Sequence, residues 1–267
     1  MFTEQLWKEV PGLHEETPVL ECYLPENKTS DVAVVIFPGG GYHHRAVHEG
    51  AGYAEFLNAN GIAAFVCQYR VSPHTFPLPL LDARRAVRYV RHHSARFGID
   101  PKKVYVMGSS AGGHLAAVTS TYTAPIEFEN QDEIDQEAFR PDGQSLCYPV
   151  IKLLGKPYAA LGSGKNRLDN RQAELGEELS PDRIADSQTP RAFIWHTFDD
   201  GSVHIANTLD YAKRLREVHV PAEIHIYPHG RHGLGLAESI PYVARWSECL
   251  LRWLNEPESS VCQFPEV

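Results

Sequence analysis

The stretch from Val104 to Gly113 reads Val-Tyr-Val-Met-Gly-Ser-Ser-Ala-Gly-Gly, a short apolar run passing straight into Gly-x-Ser-x-Gly with Ser110 at its centre. A helix-like His-Leu-Ala-Ala-Val follows at once. No other feature so narrows what the chain can fold into. A strand that must become a helix across so few residues puts the central serine at the tip of a sharp corner, with its Oγ in the open above the positive end of the helix. Gly108 and Gly112 belong at that corner because side chains there are expected to strike neighbouring backbone. A bare five-residue pattern arises by chance in many chains. The strand before it and the small-residue helix after it make Ser110 the candidate nucleophile.

With 267 residues, 43% of them hydrophobic and 10% aromatic, the chain can bury a sizeable core, and residues 1–267 are expected to form a single α/β domain. The net charge is −9, and the arginines around 84–96 are spaced along a helix face rather than gathered into a patch. They read as a solvated helix surface, so no nucleic-acid partner is expected. The opening Met-Phe-Thr-Glu-Gln-Leu-Trp-Lys-Glu-Val lacks a basic segment followed by an apolar run, and no stretch reaches the length of a membrane span. A soluble, cytoplasmic protein without a membrane partner is the expectation. Cys22, Cys67, Cys147, Cys249 and Cys262 are scattered without a close pair, which suits free thiols rather than a disulfide framework or a zinc ribbon.

Strands are expected at Val19–Leu24, Val32–Phe37, Ile62–Gln68, Leu146–Val150, Arg191–His196 and Ala222–Tyr227, besides the one that ends at the serine. Helices are expected from about His48 to Asn60, Leu80 to Phe97, Val203 to Val218 and Ser239 to Asn255. Alternation of this kind implies a mostly parallel sheet covered on both faces, with the site beyond the carboxyl ends of the strands. Residues 121–144 are acidic and poor in apolar side chains, and read as a surface excursion. Residues 152–188, rich in glycine, asparagine and charge, read as a small lid.

A serine hydroxyl needs a base to take its proton, and the base needs a carboxylate to hold its tautomer. The strand ending at His196 leads into Thr-Phe-Asp-Asp-Gly, and the last strand leads into Tyr-Pro-His-Gly-Arg-His-Gly. Asp200 lies nearer the next helix and is favoured as the acid over Asp199. His232, between Gly230 and Gly233, is favoured as the base, with His229 left to hold the loop or line the pocket. Gly39, Gly40 and Gly41 end an early strand; the amides of Gly40 and Gly41, with that of Ala111, are the candidate oxyanion donors. Tyr42, His43, Ser109 and His229 are the candidate substrate-binding residues. The fourteen histidines show no zinc-site spacing, so no metal is expected.

With these groups in place, the chain resembles the α/β-hydrolases of the bifunctional acetylxylan and feruloyl (carbohydrate) esterase-like family, from about residue 32 to 255. The resemblance rests on Pro-Gly-Gly-Gly-Tyr at 38–42, Tyr69-Arg70, Asp82, Gly-Ser-Ser-Ala-Gly-Gly-His-Leu at 108–115, Arg140-Pro141-Asp142, Tyr148-Pro149-Val150, Trp195-His196-Thr197 and the loop from Tyr227 to Leu236. It implies the α/β-hydrolase fold without a large cap, Ser110 as nucleophile, Asp200 as acid, His232 as base, and no cofactor. The implied activity is removal of short acyl groups, acetyl above all, from a carbohydrate or similar small ester. Pro38 stands where many lipases of this fold carry histidine, and only 37 residues precede it, which sets the chain apart from the hormone-sensitive-lipase type. His204 replaces the proline usual after the acid loop. The alternatives on the same fold are a general short-chain carboxylesterase, an arylformamidase and a feruloyl esterase. A non-catalytic binding protein derived from a hydrolase is the alternative of another class.

Overall fold

Apolar side chains at consecutive positions suit a strand only if both of its faces are covered, and that is how the central strands sit. In the computed structural model, which describes residues 1–12, 17–153 and 175–256, eight strands form one sheet. They are β1 Phe2–Gln5, β2 Val19–Tyr23, β3 Ala33–Phe37, β4 Ala63–Gln68, β5 Val104–Ser109, β6 Gly143–Cys147, β7 Ala192–Thr197 and β8 Ala222–Tyr227. Their order is β1-β2-β4-β3-β5-β6-β7-β8. The β1/β2 and β2/β4 pairs are antiparallel and the remaining pairs parallel.

The principal helices are α1 Val47–Ala59, α2 Leu78–His92, α3 Ala111–Thr121, α4 Ala206–Glu217 and α5 Trp246–Leu254. Strand residues alternate between two cores. Ala33, Val35 and Phe37 join Val104, Val106, Ala192 and Ile194 in the core that includes residues of α2 and α3. Val34 and Ile36 join Tyr105, Met107, Phe193 and Trp195 in the core that includes residues of α1 and α5. Each such large apolar side chain contributes roughly 1.5–3 kcal/mol by leaving water. Among the described residues no helix is long and apolar enough to cross a membrane.

Several boundaries differ from the sequence reading. β1 was not anticipated, because its four residues are largely exposed and carry no apolar alternation. β6 runs over Gly143–Cys147 rather than Leu146–Val150. The helix expected over Leu80–Phe97 is α2 plus a separate turn at Ser94–Phe97, which Gly98 closes with φ 65°. α4 starts at Ala206, later than Val203, because the amides of Ser202 and Val203 are taken by Asp200 Oδ1. Cys22, Cys67 and Cys147 are buried free thiols and Cys249 is a half-buried one; Cys262 lies outside the described residues. So does 154–174, the middle of the segment expected to be a lid.

The arginines of α2 correct the sequence reading. Arg84, Arg85 and Arg91 are at most 9% exposed. They are buried because the 122–142 excursion lies over them. Arg85 forks onto Asp132, at 2.6 and 2.8 Å, and reaches Asp135 at 2.9 Å. Arg91 binds Asp142 at 2.7 Å and the carbonyls of Ala138 and Arg140, while Arg84 binds those of Tyr122 and Ala124. Arg88 adds Glu137 O at 2.9 Å. Acidic residues that read as solvated cover are therefore the partners of a cationic helix face. Asp132 also caps the short turn Glu133–Gln136, accepting from Ile134 N.

Candidate active site

Four loops at the carboxyl ends of β3, β5, β7 and β8 converge, as expected for this kind of sheet. Ser110 follows β5 and caps α3 with φ 53° and ψ −116°, a strained backbone for a residue with a side chain. The turn is held by Ser110 N to Cys147 O and by His114 N to Ser110 O, both 3.0 Å. Its side chain thereby faces the loop after β8. Ser110 Oγ donates to His232 Nε2 at 2.8 Å, and His232 Nδ1 donates to Asp200 Oδ2 at 2.6 Å. The three favoured residues of the sequence reading are in hydrogen-bond contact.

Asp200 is set by more than His232. Its side chain is fully buried, and His196 Nε2 stands 3.4 Å from the same Oδ2. Burial alone would raise its carboxyl. The hydrogen bonds from His196, His232 and the amides of Val203 and Ser202 outweigh burial and hold it well below the usual carboxylate range. His196 is itself fixed, with Nε2 directed at Val203 O and Nδ1 accepting from Thr208 Oγ1 at 2.8 Å. Asp199 faces away, accepting from Gly230 N at 2.8 Å and from His229 Nδ1 at 3.2 Å.

Gly40 and Gly41 follow β3 with φ of 129° and 65°, a backbone closed to most side chains. Among the described residues, the amides of Gly40, Gly41 and Ala111 donate to no acceptor. Gly39 N is engaged, by Glu49 Oε2 at 2.9 Å.

The four expected substrate-binding residues have separate fates. Tyr42 is buried and donates to His114 Nδ1 at 2.8 Å; His114 Nε2 donates to Leu179 O, which sets that tautomer. Burial lowers the His114 pKa to about 4. Tyr42 and His114 line a small apolar cavity of about 20 Å³ with Phe76, Leu115, Val118 and Leu179. His43 is exposed and borders a hollow of about 420 Å³ with Glu21, Arg45 and Gln68. His229 is 84% exposed and tied to Asp199. Ser109 is a correction, for its side chain is fully buried and its Oγ is 2.8 Å from Tyr53 OH. It shares strand parity with Tyr105 and Met107, and so points into the α1/α5 layer rather than toward substrate.

Sequence reasoning missed Glu49, His196 and Tyr148. Glu49 is 3% exposed, on the buried stripe of α1 with Tyr53 and Leu57. The legible signal was an acid at i−4 from buried apolar positions. One mixed group with metal-ligating atoms occurs among the described residues, Glu223, His225 and Cys249, with those atoms within 4.8 Å of one another. It lies on β8 and α5 and includes none of the residues around Ser110.

This sheet, with a serine at the strand-to-helix corner after β5, defines an α/β-hydrolase. The BD-FAE family model matches residues 20–215, and the chain belongs to that family. It is 32% identical to an acetylxylan esterase of Xylanibacter ruminicola over 240 residues, 88% of this chain and 47% of that protein. It is 34% identical to endo-1,4-beta-xylanase B of Butyrivibrio fibrisolvens over 258 residues, 92% of this chain and 40% of that protein. The chain thus spans less than half the length of these two curated relatives. An acetyl ester-xyloside bifunctional hydrolase from Caldicellulosiruptor lactoaceticus superposes with a TM-score of 0.85 at 40% identity, covering 94% of both chains. Two of these three proteins are named for ester hydrolysis, the acetylxylan esterase and the acetyl ester-xyloside hydrolase.

Proposed function

We propose that the chain hydrolyses short acyl esters, acetyl above all, carried on xylan-type carbohydrates. The observation that carries the reading is the unbroken path of hydrogen bonds from Ser110 Oγ through His232 to the buried Asp200. Ser110 Oγ attacks the ester carbonyl while His232 Nε2 takes its proton, and Asp200 keeps the other ring nitrogen protonated and faces the imidazolium that forms. The carbonyl oxygen becomes an oxyanion held by the amides of Gly40, Gly41 and Ala111. Collapse breaks the ester C–O bond, and the sugar alcohol leaves with the proton from His232. Water, deprotonated by the same ring, then attacks the acyl-serine and releases acetate and free Ser110.

The names of the relatives and the Caldicellulosiruptor structure support acetylated xylosides as the alcohol. The open amides of the glycine loop support acyl transfer. The test is hydrolysis of an aryl acetate and of acetylated xylo-oligosaccharides by the wild type and by Ser110→Ala. Loss of at least about 10³-fold in the variant is expected. Undiminished turnover would sink the reading. Faster hydrolysis of feruloyl esters, N-formylkynurenine or longer acyl chains would overturn the acetyl assignment while leaving the nucleophile in place.

A further inference from the structure

Glu49 is a carboxylate buried beside the nucleophile, and nothing in the acyl-transfer steps uses it. A Cβ on Gly39 would stand 2.4 Å from Glu49 Oε2 and 3.3 Å from Ser110 Cβ, so the group sits immediately under the corner. Burying an acid is costly unless donors surround it. Its donors come from two different loops. Oε2 accepts from Gly39 N at 2.9 Å, the first amide of the glycine loop. Oε1 accepts from Tyr148 OH at 2.7 Å. Tyr148 OH in turn accepts from Gly235 N at 3.0 Å, in the loop that carries His232. The Tyr148 ring stands edge-on to the His232 ring, with centroids 5.1 Å apart. His48, the residue before Glu49, touches the same loop through Nε2 to Gly233 O at 3.1 Å.

We propose that Glu49 is a positioning residue that holds the oxyanion loop and the base loop in register through one carboxylate. It takes up Gly39 N–H, while the next two amides, of Gly40 and Gly41, have no acceptor among the described residues and are available to the oxyanion. By fixing Tyr148 it holds the aromatic edge against which His232 packs. Both consequences concern the tetrahedral state more than the bound ester, so the residue acts on kcat rather than on KM. The inference deepens the ester-hydrolase reading and rests on it.

The decisive variant is Glu49→Gln, which keeps the shape but has one acceptor oxygen where the carboxylate has two. It can satisfy Gly39 N–H or Tyr148 OH as the carboxylate does, not both. The expected result is a fall of about 10- to 100-fold in kcat on an aryl acetate with KM within about twofold. Affinity for an alkylboronic acid, which forms a tetrahedral adduct on Ser110, is expected to fall by a similar factor. The melting temperature checks that the protein remains folded. Should Glu49→Gln not fold, Tyr148→Phe removes one hydroxyl from the same set of bonds and carries the same expected split. Unchanged kcat and boronate affinity in the folded variant overturn the proposal, as does activity lost only in proportion to folded fraction. Ser110→Ala separates the two readings. If it keeps full turnover, the ester-hydrolase reading itself has failed; if it is inactive while Glu49→Gln behaves as wild type, only the role of Glu49 falls.

Discussion

Asp199 and Asp200 are neighbours in the chain, yet they serve different histidines: Asp199 accepts from His229 and Asp200 from His232. Asp200 is buried and held well below the usual carboxylate range despite the opposing effect of burial, whereas half of the Asp199 side chain is exposed. Asparagine at 200 can offer its NH2 to Nδ1, favouring the tautomer with the proton on Nε2, where it cannot accept from Ser110. Asp200→Asn is therefore expected to lower kcat/KM by about 10⁴, and Asp199→Asn by less than about tenfold. Aryl acetate hydrolysis by the two variants checks this, and equal losses would contradict it.

The docking of the acidic excursion on α2 has a pH signature. The fork from Arg85, against a smaller opposing effect of burial, lowers the Asp132 pKa to about 2. Because the folded value lies below the unfolded one, the associated stability is fully present above about pH 4 and is lost as pH falls toward 2. Its size at neutral pH is roughly 2 kcal/mol. Asp132→Asn is expected to lower the urea midpoint at pH 7 and to converge with wild type near pH 2. Parallel urea titrations across that range measure it.

What could be read from the chain was what local pattern encodes. The corner at Ser110 is spelled in ten consecutive residues, and β3, β5 and β7 are apolar runs that only a doubly covered sheet accommodates. The solvated reading of the α2 arginines failed for a different reason. Periodicity gives the face a residue occupies but not what lies over it, and Asp132, Asp135 and Asp142 approach from more than forty positions away. The misplacement of Ser109 was avoidable, since strand parity already set it with Tyr105 and Met107. Glu49 was visible as an acid on an apolar stripe, but its meaning depends on Tyr148, 99 residues later.

Arg70 and Asp82 are each fully buried and face each other in a fork of 2.8 and 2.7 Å. Arg70 N adds a third donor to the carboxylate and Trp7 Nε1 a fourth, each at 3.0 Å, the latter pinning the amino-terminal segment to α2. Asp82→Asn leaves a guanidinium buried without its counter-charge, so a loss of about 3–5 kcal/mol is expected. Chemical denaturation checks it, and a loss below about 1 kcal/mol would show that water reaches the pair in solution.

Two kinds of glycine meet in this fold, and alanine scanning should separate them. A Cβ at Gly112 would fall 2.0 Å from Phe37 O, and one at Gly108 2.1 Å from Gly112 O; the first obstacle is the backbone of β3 and the second that of the strand-to-helix corner. Neither can move without displacing Ser110 or β3. Gly112→Ala is expected to cost several kcal/mol, more than about 3, and to abolish activity with it. Gly52 lies inside α1 with no heavy atom within 4 Å of its would-be Cβ, so the substitution there meets no obstacle. Gly52→Ala should instead raise stability by about 0.5–1 kcal/mol, because alanine loses less backbone freedom on entering a helix. Denaturation of the two variants side by side checks both signs. A stable, active Gly112→Ala protein would mean that the corner can relax, and that the strained backbone of Ser110 is not enforced by β3.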